Sequence, residues 1–261
     1  MIRAFRAEWV FLRRPRFLAG TLSAVSAVAV LGTLLTMFSV GRNDFNGDPV
    51  TASRLALPDG SVQGLESISI LIGVVALSIV AAIVGGDYSH GTLRNQLIAQ
   101  PSRLRLLAGK SAAIGSFLAV LVTVALAVSV ALSLLFAAAG TVDGSAWLGL
   151  AGVRQIGQAE LNGILSAWGY GVLGLLAAAV FRGPAAAIAV GVAYALPLEA
   201  IVARISGAST HWLPAQLLDA LAAGSNGYSV SYLEAAGRLA AYGALAVATI
   251  VVLVHRRDVT S

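Results

Sequence analysis

The sequence predicts an all-α, polytopic membrane protein with six transmembrane helices. Three observations predict it. First, the 261 residues are 58% hydrophobic and only 11% charged, where a soluble domain carries about 25% charge. A soluble fold of this length lacks the polar residues to cover its surface. Second, the apolar residues fall into six runs, roughly 17–40, 66–86, 111–139, 160–181, 184–204 and 238–255. About 20 such residues, rising 1.5 Å each, cross some 30 Å of hydrocarbon. Third, the basic residues are distributed unevenly. With both termini cytoplasmic, Arg3, Arg6, Arg13, Arg14, Arg16, Arg94, Arg103, Arg105, Lys110, Arg182, Arg256 and Arg257 all lie inside, 12 of the 17. Only Glu8, Asp87 and Asp258 accompany them, and the other 9 acids lie outside. That asymmetry sets the orientation. The single unit 1–261 carries no cysteine, which excludes disulfides, zinc thiolates and cysteine nucleophiles. Arginine outnumbers lysine, the usage of a GC-rich bacterial genome.

Residues 1–16 hold five arginines and no short apolar core with a small-residue cleavage site, so no cleavable signal peptide is expected. Ile2, Phe5, Trp9 and Leu12 fall on one helical face, flanked by arginines, and Pro15 ends or kinks the helix. The pattern is that of an interfacial helix on an anionic membrane surface; the alternative is an ordinary basic start to a membrane protein. The first span carries Thr33, Thr36 and Ser39, a mildly polar face and a candidate lining for a translocation pathway. Such hydroxyls also bond to their own backbone. The loop 41–65, rich in Gly and Pro, is too irregular for a structured outer domain.

Between spans two and three lies a polar island, GGDYSHGTLRNQLIAQPSRLRLLAGKS, residues 85–111. Its Gly109-Lys110-Ser111 matches the end of a phosphate loop. Position 104 is Leu where that loop needs its first Gly, and the preceding residues read as helix rather than strand. Thr92 to Gln100 reads instead as a short helix, with Leu93 and Leu97 on one side and Arg94 and Asn95 on another, stopped by Pro101. Ser102 caps the next helix. Without further information this is an arginine loop that snorkels into headgroups.

The island resembles the cytoplasmic loop of ATP-binding-cassette type-2 permeases, which runs acid–aromatic–x–x–Gly-Thr, an apolar helix, Pro, a basic pair and a late Lys. Asp87, Tyr88, Gly91, Thr92, Leu93, Leu97, Pro101, Arg103 and Lys110 match, with Asp87 where glutamate is commoner. The basic N-terminus, the six spans and the terminal Arg256-Arg257-Asp258 agree with that layout. The resemblance implies a coupling helix, with Asp87, Tyr88, Gly91, Thr92, Leu93, Arg94, Leu97, Pro101 and Arg103 contacting a separate ATPase. It implies a permease working as a homodimer or heterodimer with two ATPase subunits in the bacterial cytoplasmic membrane. ATP and Mg would sit on the ATPase and no cofactor on this chain. The cargo would be amphiphilic: a drug, peptide antibiotic or lipid. The alternatives are a non-transporting module or sensor anchored by the same type of ATPase and, behind it, an intramembrane enzyme.

Spans four and five carry small residues at four-residue spacing. Gly163, Ala167 and Gly171 form one set; Ala187, Gly191 and Ala195, continuing to Glu199, form the other. Small residues let membrane helices approach closely. Glu199 follows Pro197, whose missing N–H frees the Ala193 carbonyl and bends the helix. A carboxylate within a span costs roughly 3 kcal/mol at mid-bilayer unless neutralised or hydrated. Two readings stay open for Glu199: a pathway or gate residue, or an ion pair with Arg204 or Arg238. The segment 205–237 holds a helix at Ala215–Ala223, too short to span and therefore re-entrant or interfacial. His90, His211 and His255 have no metal-ligand spacing, and no Ser/His/Asp set or carboxylate pair stands out. No enzymatic activity and no nucleic-acid partner are expected of the chain.

Overall fold

The computed structural model describes residues 2–43, 49–91, 102–207 and 211–256. An amphipathic helix α1 (Ile2–Leu12) leads through Arg14 into α2 (Pro15–Phe38), with Pro15 at the first helical position, where its missing N–H breaks no bond. A two-residue antiparallel pairing, Arg42 opposite Val50 and Asn43 opposite Pro49, closes the first loop. Two short helices, α3 (Ala52–Leu55) and α4 (Gly60–Glu66), precede α5 (Ser69–Ser89). Then come α6 (Arg103–Ala138), α7 (Leu150–Phe181), α8 (Pro184–Ala193), a wide π turn over Tyr194–Leu198, α9 (Glu199–Ile205), α10 (Pro214–Ala222) and α11 (Tyr232–Arg256).

Six of the described segments are long and apolar enough to cross a membrane: α2, α5, residues 105–138 of α6, α7, the joined α8–π–α9 segment, and residues 232–250 of α11. The chain is a multi-pass, all-α membrane protein. Its basic end carries α1 and the connection from α5 to α6; the far end carries α3, α4 and α10.

Helix α5 is the centre of the bundle, packed against both α7 and α8. Close approach explains why glycine stands at these crossings. A Cβ on Gly174 of α7 would lie 2.4 Å from the backbone oxygen of Leu77, and one on Gly85 would lie 2.7 Å from the Pro184 nitrogen. Arg182 ends α7 with a left-handed φ of 54°, and Pro184 restarts the chain at once as α8.

Several segments differ from the sequence expectation. The fourth helix begins at Leu150, ten residues before 160. Its first turns carry Arg154, Gln155 and Gln158, which lower hydropathy without breaking a helix. The amphipathic face of α1 is also rotated. Phe5, Trp9 and Leu12 pack inward, with Phe5 and Trp9 stacked 5.8 Å apart. Ile2 is exposed and Glu8 buried, because Ala4, Glu8 and Leu12 share the line that meets α6. At Pro197 the helix widens rather than stops: the Glu199 N–H reaches back five residues to the Tyr194 carbonyl, a π bulge that accommodates the missing proline donor.

Candidate functional site

The basic end of the bundle is held by a buried ion triad. Lys110, near the start of α6, places its Nζ 2.9 Å from Glu8 Oε2 of α1 and also in contact with Asp87 Oδ2 at the end of α5. All three side chains are about nine-tenths buried. An ammonium taken out of water needs both charge and hydrogen-bond partners, and two carboxylates supply them. The triad joins three elements that are remote in sequence, α1 and the two spans that enter and leave the polar island. Asp87, Tyr88 and Gly91 of the expected coupling set are described; Gly91 ends its turn with φ 65°, a conformation glycine adopts without strain. Thr92, Leu93, Arg94, Leu97 and Pro101 lie outside the described residues. Arg103 opens α6.

At the far end, Glu199 is 1% exposed. Its Oε1 accepts from the Ala215 N–H and its Oε2 from the Gln216 N–H, both at 3.0 Å. These are the first amide donors of α10, because Pro214 at the first position has none. Leu213 precedes it and cannot cap. The carboxylate therefore caps a helix from outside it, where the helix dipole also favours negative charge. The π turn serves this contact, since it brings the Tyr194 hydroxyl into a hydrogen bond with the same carboxylate. Glu199 thus pairs with backbone amides in place of either expected arginine. Arg204 is exposed, and Arg238 binds Glu234 and the His211 carbonyl and lies 4.1 Å over the Trp212 ring.

The same short helix is held a second time. Asp219 Oδ1 accepts from Ser69 Oγ at the start of α5, at 2.9 Å. Burial, with the nearby Glu199 charge, pushes the Asp219 carboxyl up to about 7 against the lowering effect of the Ser69 hydroxyl. Tyr170 of α7 donates to the Ala215 carbonyl at 3.3 Å. Helix α10 is thereby tied to the fifth, second and fourth spans.

The remaining sequence candidates sort by their contacts. Thr33 is fully buried; its hydroxyl bonds to the Ala29 carbonyl and to Ser129 Oγ, both at 2.9 Å, so it joins α2 to α6. Thr36 reaches Ser67 Oγ at 3.5 Å. The small residues lie at helix crossings. A Cβ on Gly163 would meet Val122 at 3.0 Å, one on Gly171 would meet Leu118 at 3.2 Å, and one on Gly191 would meet Leu77 at 2.7 Å. Ala167, Ala187 and Ala195 are buried. Glu8, Ser69 and Asp219 were not singled out from the sequence. The one signal was Glu8, a lone acid among five arginines.

Among the described residues, no group of three or more His, Asp or Glu is placed to hold a metal. No family model matches the chain, and no curated protein matches it.

Proposed function

We propose that the chain is the membrane-spanning permease subunit of an ATP-driven exporter of amphiphilic cargo, with ATP hydrolysis carried out by a separate ATPase subunit. The observation that carries this reading is the polar island 85–110, whose residue order is similar to the coupling loop of type-2 permeases. The ion triad supports it. Asp87 and Lys110 bound the island, and Lys110 pairs with both Asp87 and Glu8. A force on the island therefore reaches the second span, the third span and α1 together. On this reading the basic end is cytoplasmic, the short helix 92–100 seats on the ATPase, and the complex holds two permease and two ATPase chains.

The test has two stages. The full chain, purified in mild detergent from its native host, carries with it an ATP-binding-cassette ATPase identified by mass spectrometry. Leu97→Asp then places a charge in the apolar contact of the coupling helix, where an unpaired buried charge is costly. Cargo-stimulated ATP hydrolysis falls at least about tenfold, the equivalent of about 1.4 kcal/mol, while insertion and assembly are retained. No co-purifying ATPase, or parental hydrolysis by the variant, overturns the coupling reading. An ATPase that binds without driving transport identifies an anchored sensor or scaffold instead.

A further inference from the structure

A cleft of about 570 Å³ opens at the basic half of the bundle, within the size range of small-molecule sites. Four helices line it: α5, α6, α7 and α11. Because α11 packs on α7 and α10 while α6 packs on α1, α2 and α7, the cleft lies between α6 and α11. Its walls are strongly segregated. Asp87, Lys110 and Ser111 stand at the basic end; Val84, Leu175 and Ile250 are typical of the rest. From Leu107 to Leu118 the α6 wall runs for about 16 Å at 1.5 Å per residue.

One wall is set in advance. Trp168 is 45% exposed, yet its indole N–H donates to the Gly115 carbonyl of α6 at 2.9 Å. An exposed tryptophan held by a hydrogen bond across two spans offers an aromatic surface with little ordering left to lose on binding. Gly115 and Gly171 line the same space, and the absence of side chains there keeps it open.

We propose that this cleft binds a single-chain amphiphile with a zwitterionic head, taken from the lipid leaflet at the basic end. The alkyl chain lies along Trp168 and Leu175. The head meets the end at which the Asp87 carboxylate and the Lys110 ammonium stand together in the cleft wall. A head of one sign is attracted by one partner and repelled by the other, whereas a head with both signs complements both. The proposal rests on the export reading for what happens after binding, and it narrows the cargo class to amphiphiles of this kind.

The probe is a lyso-phosphocholine with a diazirine at the end of its chain, photolysed with the purified full chain in nanodiscs and mapped by peptide mass spectrometry. Labelling is expected on Trp168–Leu175 and Val247–Ile250. Unlabelled lyso-phosphocholine displaces it, while dodecylammonium and dodecyl sulfate compete at least about tenfold less well. Ser116→Phe replaces an exposed hydroxyl on the cleft wall and reduces labelling about tenfold or more at unchanged thermal midpoint. Ala112→Leu, on the same wall, does the same if the bulkier variant is unstable. Val30→Phe on α2, also exposed, leaves labelling unchanged. Labelling spread evenly over lipid-facing residues, or insensitive to both wall variants, means annular lipid only and overturns the proposal. Equal competition by the three heads overturns its zwitterionic part. Labelling that persists where no ATPase couples retains the site and removes the export reading. Coupled ATPase activity without site labelling removes the site alone.

Discussion

Carboxylates are buried at both ends of this bundle, but they are neutralised differently. At the basic end, Glu8 and Asp87 share the Lys110 ammonium, a charge-to-charge arrangement across three elements. At the far end, Glu199 and Asp219 are met by neutral donors, two backbone amides and the hydroxyls of Tyr194 and Ser69. The first arrangement depends on all three charges being present, because loss of one strands the others in a poorly solvated place. The second depends on the position of α10, because amides hold a carboxylate only where the helix N-terminus points at it. A joint of the first kind resists separation of its elements. One of the second kind responds to displacement of a short helix and to proton concentration.

Removing Lys110 is the largest expected disruption. Lys110→Met leaves two buried carboxylates facing each other and is expected to destabilise the chain by about 3–5 kcal/mol, measured as a lowered thermal midpoint in detergent. Combining it with Glu8→Gln and Asp87→Asn recovers most of that loss. An unaltered midpoint in Lys110→Met shows that the triad is solvated rather than structural.

Glu199→Gln tests the other joint and is expected to have a smaller effect. Its amide oxygen still accepts one N–H of α10, but its NH₂ then confronts the second, so the expected loss is about 1–2 kcal/mol. Hydrogen exchange at Ala215 and Gln216 accelerates, while the basic end keeps its protection. A variant that leaves exchange and stability unchanged but abolishes transport of a cationic cargo assigns Glu199 to the pathway instead of the cap.

Asp219→Asn has the smallest effect at neutral pH, because a carboxyl with a folded value of about 7 is half protonated there. Its signature is the pH profile. The folded value lies above the unfolded value of about 3.9, so the folded chain holds the proton more tightly. That contribution to stability is complete below about pH 4 and is lost as pH rises toward about 7. Glu199 is the titratable group whose charge acts on it over this interval; Tyr170 and Tyr228, its other titratable neighbours, are uncharged there. The thermal midpoint of the parent is expected to fall between pH 5 and about 7 and then level; Asp219→Asn flattens this slope. A parent profile that rises over the same interval contradicts the burial of Asp219.

Much of the architecture was legible because apolar runs are local. The six spans, an irregularity at Pro197 and the short helix after residue 213 follow from composition within windows of a few turns. The start of the fourth helix did not. Its first ten residues look like a loop by hydropathy, yet they stay helical, and Glu160 just beyond them accepts from Thr123 of α6 at 2.5 Å. The hydroxyls of the first span were legible as polar but not in their direction. Thr33 turns to Ser129 because α2 packs on α6 at that level. For Glu199, the sequence showed two nearby arginines and no reason to prefer an amide.

The sequence by itself determined that the chain lives in a bilayer, how many times it can cross, where its charge concentrates and which segment resembles a coupling loop. These are properties of short windows, set by the transfer of side chains from water and by helix geometry. Tertiary structure alone decided which charges meet. Glu8 and Lys110 are 102 residues apart, and Ser69 and Asp219 are 150 apart. Such a pair forms only when two helices pack at one crossing and in one rotation. A rotation of about 100°, one residue's turn of a helix, carries the side chain to another face without changing any apolar run.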